Sequence, residues 1–210
     1  MTARLVVLAS GGGSNLQAIV DACAAGRLDA VVGALVTNVA GAGCVERARG
    51  AGIGVVVLPP LAGEARRAYD ARLADAVAPF APDWVVLAGW MRLLSTAFLA
   101  HHPGRVVNLH PALPGELPGL HAIARAHAEA VAGDRTATGV MVHLVPDEGV
   151  DDGPVLATAT VPIAAHDTLA DLEARVHAVE HELLVTTLAR LTDSAHPIAC
   201  LLYTSPSPRD

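Results

Sequence analysis

Short, unbroken apolar runs punctuate the first half of the chain, and a segment with helical spacing of apolar residues follows each of the first four. ARLVVLAS, AVVGALVT, GIGVVVLP, DWVVLAG and GRVVNLH read as strands, and residues 15–25, 43–50, 64–77 and 95–101 as the helices between them. Strands that are apolar on both faces have to be covered on both, and a strand that returns through a helix lies parallel to its predecessor. The pattern predicts an α/β protein: a doubly wound, mostly parallel sheet with helices on both faces.

Beyond His110 the pattern changes. HPALPGELPGLH is a Pro/Gly-rich loop, followed by a helix over 121–132 and two longer strands, TATGVMVHLV and GPVLATATVPI, separated by the acidic turn PDEGVDDG. A last helix opens on the capping-box pair Thr168 and Asp171 and runs to about residue 191. Its stripe of Leu169, Leu172, Val176, Val179, Leu183 and Leu188 is expected to face the core. No repeat or linker divides residues 1–194, which are expected to form one domain, while 195–210 read as a non-native or disordered tail.

Composition narrows the function classes. Of the 210 residues, 52% are apolar and 17% charged, as in a globular protein, and the net charge of −7 argues against nonspecific nucleic-acid binding. The chain contains no lysine, so every fixed side-chain cation is an arginine. Cys23, Cys44 and Cys200 are far apart and form no CxxC pair, which suits reduced thiols in a cytoplasm and implies neither a zinc site nor a disulfide framework. The longest apolar region, 76–100, is broken by Pro79, Pro82, Asp83 and Arg92, which excludes a membrane span there.

The stretch LASGGGSNLQAIV places three glycines between a strand and a helix. Such a turn exposes backbone N–H groups at the positive end of a helix, which suits an anion. A phosphate loop of the Gly-Lys-Ser/Thr type fails for want of lysine. A dinucleotide fingerprint fails because Leu16 stands where its third glycine belongs, and the second strand ends in VTNVA without an acid for a ribose. A nucleophile elbow fails around both Ser10 and Ser14. Two readings remain: a monophosphate site, with Ser14 and Asn15 capping the helix and donating from their side chains, or a tight turn with ordinary caps.

A second constellation lies in VVNLHPAL. Asn108 and His110 sit two apart at the carboxyl end of a strand, on one side, where open α/β sheets bind ligands. Asn offers a neutral donor for an oxyanion, and His a donor or proton carrier. Asp147, Glu148, Asp151 and Asp152 supply candidate acid partners.

Together VVLASGGGSNLQAIVDA, DWVVLAGWMRLLS, RVVNLHPAL, PGLHA and DEGVDDGPVLA resemble the phosphoribosylglycinamide formyltransferases, in the right order and over about 5–191. The resemblance implies a Rossmann-like formyltransferase fold, with a phosphate-binding half over about 1–110 and a folate and catalytic half over about 111–194. It implies transfer of a formyl group from the co-substrate 10-formyltetrahydrofolate to the amine of glycinamide ribonucleotide, without a metal. Gly13, Ser14 and Asn15 would hold the phosphate and Glu180 the ribose; Asn108, His110 and Asp151 would be catalytic. Arg66, Met91, Arg92, Leu93, Leu94, Asn108, Pro146, Asp147, Glu148, Gly149, Val150 and Asp151 would meet the folate. Asp151 beside His110 would raise the imidazole pKa. Partners are expected to be small molecules, with neither nucleic acid nor membrane; a homodimer is compatible with the resemblance.

Leu113, Pro114 and Gly115 depart from the family's usual Leu-Leu-Pro run while keeping the spacing to His121. Two other folate enzymes share the Asn-His-Asp pattern. A formyltetrahydrofolate deformylase would carry an N-terminal regulatory domain, and a methionyl-tRNA formyltransferase a C-terminal RNA-binding domain with a basic surface. A catalytically silent phosphosugar- or folate-binding homologue is the alternative outside enzymes.

Overall fold

The computed structural model describes residues 2–193; the segment expected to be a tail lies outside the described residues. Strands β1 (Ala3–Leu8), β2 (Ala30–Thr37), β3 (Gly54–Val57), β4 (Trp84–Leu87) and β5 (Val106–His110) pair in parallel, and β6 (Ala137–Leu144) and β7 (Val155–Pro162) add antiparallel. The order is β3-β2-β1-β4-β5-β6-β7. The chain therefore winds outward from β1 to β3 and then restarts beside β1 with β4. This reversal leaves a crevice at the carboxyl ends of β1 and β4.

Helices cover both faces, as the apolar strands require. On one side α1 (Ser14–Ala24), α2 (Gly43–Gly50) and α6 (Leu169–Thr192) bury Leu16, Ile19, Val45, Ala48, Leu172 and Val176 against one face of the sheet. On the other, α3 (Arg66–Val77) and α4 (Thr96–Leu99) bury Tyr69, Leu73, Val77 and Phe98. The helix α5 (Ala122–Val131) follows the proline-rich loop. No helix among the described residues is long and apolar enough to cross a membrane.

Thr168 and Asp171 form the expected capping box: Asp171 N–H donates to Thr168 Oγ1 at 3.2 Å and Thr168 N–H to Asp171 Oδ2 at 2.9 Å. The buried stripe of α6 is rotated from the expected one. Leu184, Val185 and Leu191 are buried, while Leu169, Val179 and Leu183 are only partly so. The rotation faces Glu180 inward as well.

Candidate active site

Three strand ends converge at the crevice: the glycine loop after β1, residues 88–95 after β4, and Asn108 to Pro111 at the end of β5. Ser10 ties the first two together. Its N–H donates to Gly89 O at 2.9 Å, its hydroxyl donates to Asn38 Oδ1 at 2.6 Å, and it accepts from Met91 N–H at 3.0 Å. A cavity of about 750 Å³ opens over these ends.

Gly13 occupies the N-cap of α1 with φ 77°, and a Cβ there would lie 2.6 Å from Cys44 Cα. Only glycine allows that backbone conformation and that approach to α2 together. The expectation that Ser14 and Asn15 cap the helix is overturned, because a left-handed residue with no side chain stands at the cap and no side chain bonds to it. The first-turn amides of α1 thus have no side-chain cap. Asn15 instead donates from Nδ2 to Glu180 Oε2 at 3.3 Å, and His177 Nδ1 lies 2.7 Å from the same oxygen. Glu180 is buried, and its carboxylate holds the His177 imidazolium above the ordinary histidine value. Asn15 Oδ1 is buried with no partner among the described residues.

Asn108, His110 and Asp151 come together across the cavity floor. Asn108 Nδ2 donates to Asp151 Oδ1 at 3.0 Å and lies 3.1 Å from His143 Nε2. His143 Nδ1 lies 2.8 Å from Leu144 O, an acceptor only, and so donates to it, while its Nε2 faces both Asn108 and, at 3.6 Å, Asp151 Oδ1. His110 Nδ1 is 3.3 Å from Asp151 Oδ2, and His110 Nε2 is 3.0 Å from Leu117 O. Gly119 N–H donates to Asp151 Oδ2 at 2.8 Å.

Burial pushes the Asp151 carboxyl up, but His143, the Gly119 amide and the charge of His110 together bring it below the usual carboxylate value. For His110 the expected direction is reversed. Burial lowers its pKa more than Asp151 and the Leu117 carbonyl raise it, so the imidazole loses its proton below the ordinary histidine value. The sequence carries the carboxylate but not the depth at which the ring is buried.

Met91, Arg92, Leu93 and Leu94 all line the cavity, with Met91 and Leu93 exposed to it and the Arg92 guanidinium 4.3 Å above the Tyr69 ring. Gly149, Val150 and Asp151 line it too. Arg66, Pro146, Asp147 and Glu148 do not. Arg66 is ion-paired to Glu148, which accepts from Thr96 N–H at 3.0 Å, and Asp147 Oδ1 accepts from Gly149 N–H at 2.9 Å. Glu148 thereby fastens the turn to the first residues of α3 and α4. Sequence reasoning missed His143, His177 and the Leu117 and Gly119 contacts. His143 faces Asn108 only because β6 pairs antiparallel to β5 in that register.

Fold and site define an α/β protein with a helix terminus free of side-chain caps and an Asn–His–Asp cluster in one crevice. The sequence matches the model of the formyl transferase family over residues 3–188. It is 44% identical over 190 residues to the phosphoribosylglycinamide formyltransferase of Escherichia coli K12, covering 90% of this chain and 87% of that one. To the enzyme of the same name from Schizosaccharomyces pombe it is 42% identical, covering 91% and 98%. The crystal structure of glycinamide ribonucleotide transformylase 1 from Geobacillus kaustophilus superimposes with a TM-score of 0.84 at 41% identity, covering 91% of this chain and all of that one (100%). The chain belongs to the formyl transferase family, and its sheet is the Rossmann-like formyltransferase fold.

Proposed function

We propose that the chain transfers the formyl group of 10-formyltetrahydrofolate to the primary amine of glycinamide ribonucleotide, a step of purine biosynthesis. One observation carries the reading: the uncapped α1 terminus and the Asn108–His110–Asp151 cluster open into the same cavity. The shared cavity supports a ligand that carries a phosphate at one end and a reacting amine at the other. In this reading the backbone of Gly13, Ser14 and Asn15 holds the phosphate, and Glu180 meets the ribose. Met91, Arg92, Leu93, Leu94, Gly149 and Val150 wall the pterin, while Arg66, Pro146, Asp147 and Glu148 support that wall.

The substrate amine attacks the formyl carbon, a C–N bond forms, and the carbonyl π pair moves onto oxygen. Asn108 exchanges one of its amide bonds for the oxyanion, and the positive charge that His110 shares with Asp151 lies beside it. Removal of one such donor from an acyl-transfer site costs roughly 10²–10³ in rate. The proton shed by the amine goes to Asp151, which shares it with His110 Nδ1 and then delivers it to the folate nitrogen, whose bond to carbon breaks as the oxyanion collapses back to a carbonyl. Burial holds the His110 pKa below the ordinary histidine value, so the ring gives its proton back to the pair readily.

The test is purified protein with 10-formyltetrahydrofolate, with and without glycinamide ribonucleotide. Release of tetrahydrofolate that depends on the amine, with formyl found on that amine, is the expected result. Equal release without the amine, with formate as product, would show a hydrolase. Binding of both ligands without turnover would show a silent homologue.

A further inference from the structure

The loop over 111–121 holds a backbone outlier that the roles above leave unexplained. Leu117 has φ 45°, although it carries a side chain, precedes a proline and is buried. Left-handed backbone in a buried, bulky residue persists only where its surroundings enforce it, and such strain concentrates at functional sites.

What the conformation achieves is a pair of bonds. Leu117 O is turned onto His110 Nε2 at 3.0 Å. Two residues later Gly119, with φ 79°, turns its N–H onto Asp151 Oδ2 at 2.8 Å. That same carboxylate oxygen faces His110 Nδ1 at 3.3 Å. Imidazole, turn and carboxylate thus close a ring. Pro118, between the two bonding residues, has a fixed φ, which stiffens the turn.

We propose that the Leu117–Pro118–Gly119 turn is the positioning element of the His110–Asp151 pair, fixing the ring by one nitrogen and the carboxylate by the oxygen that faces the other. The inference rests on the formyl-transfer reading, since that reaction is what needs the pair aligned. A carbonyl at Nε2 reserves the proton of that nitrogen and leaves Nδ1 as the one that exchanges with Asp151. An amide on Oδ2 prevents the carboxylate from rotating away. Proton transfer through such a pair is sensitive to alignment, so the turn acts on turnover and not on ligand binding.

Gly119→Ala disfavours the left-handed backbone without a clash inside the protein, because a Cβ at 119 meets no protein atom within 4 Å. Gly119 also lines the cavity, so KM is read beside kcat to separate encroachment on a ligand from misalignment. Gly115→Ala is its control: Gly115 also has φ 79° and open space, in the same loop, but bonds to neither member of the pair. Gly119→Asn is the conservative rescue, since Asn visits the left-handed region more readily than Ala. The expected result is a kcat lowered about tenfold or more in Gly119→Ala, with KM for both substrates within about twofold, as misalignment without lost binding produces. Gly119→Asn should recover most of the kcat, and Gly115→Ala should keep that of the parent. A parental kcat in Gly119→Ala, equal losses in Gly115→Ala and Gly119→Ala, or no recovery in Gly119→Asn would overturn the proposal. Nitrogen NMR of the imidazoles reads the same geometry without turnover: His110 of the parent should carry its proton on Nε2, and a bare Nε2 would contradict the inference. A parent that places Nε2 as expected but moves no formyl to the amine would contradict the proposed function alone.

Discussion

At the scale of single residues, the site is organised around one carboxylate. Asp151 gathers Asn108, Gly119 and His110 on its two oxygens, and its own backbone sits at φ 54°, a region that Asp tolerates better than most residues. Its carboxyl is held below the usual value in the folded chain. The folded state therefore binds fewer protons than the unfolded one as the pH falls, and the stability this supplies is present above the unfolded value of about 3.9 and lost as the pH falls through the lower folded value. Asp151→Asn cannot titrate. The gap in urea midpoint between parent and Asp151→Asn should be widest near neutral pH and should close on acidification through about pH 4. A gap that stays constant with pH would mean that the carboxylate is not held by its partners.

At the scale of elements, the glycine loop and α2 lock together. Gly13 packs on Cys44 in α2, Cys44 N–H donates to Gly11 O at 3.0 Å, and Arg47 Nε–H donates to Gly12 O at 2.8 Å. Gly13→Ala combines a left-handed backbone cost of roughly 1–2 kcal/mol with an overpacking cost of roughly 1–3 kcal/mol. Gly12 has neither constraint, since a Cβ there meets nothing within 4 Å and its φ is not positive. Chemical denaturation should therefore show Gly13→Ala destabilised by about 2–5 kcal/mol, the sum of those terms, and Gly12→Ala close to the parent. With the fold intact, Gly12→Ala should raise KM for glycinamide ribonucleotide and spare the folate; an equal rise in both would remove the phosphate role from the loop. The elements themselves were legible in the sequence, because apolar period and turn residues set them: β2 and α2 match their expected bounds residue for residue. The helix cap was not legible, since a Ser-Asn pair after glycines reads as a cap until the φ of Gly13 is known.

At the scale of the whole molecule, the site joins parts of the chain that sequence leaves far apart. Asn15 meets Glu180 across 165 positions, and Asn108 meets Asp151 across 43. Asn108 and His110 were legible because they end a strand, whereas among the four acids of the later turn only the family resemblance singled out Asp151. His143 was not, because its role depends on the register of β6 against β5. Neither was the depth of His110, which reverses the direction of its pKa. The sheet order explains why these parts meet: the winding reverses between β1 and β4, so the glycine loop, the 88–95 segment and the end of β5 share one edge. The central claim is that Asp151 relays the proton there, and turnover of Asp151→Asn beside Asp152→Asn tests it most directly. The account predicts that Asp151→Asn loses roughly two to four orders of magnitude in kcat while affinity for both ligands is little changed, and that Asp152→Asn stays near the parent. A near-parental Asp151→Asn enzyme, or a larger defect in Asp152→Asn, would contradict it.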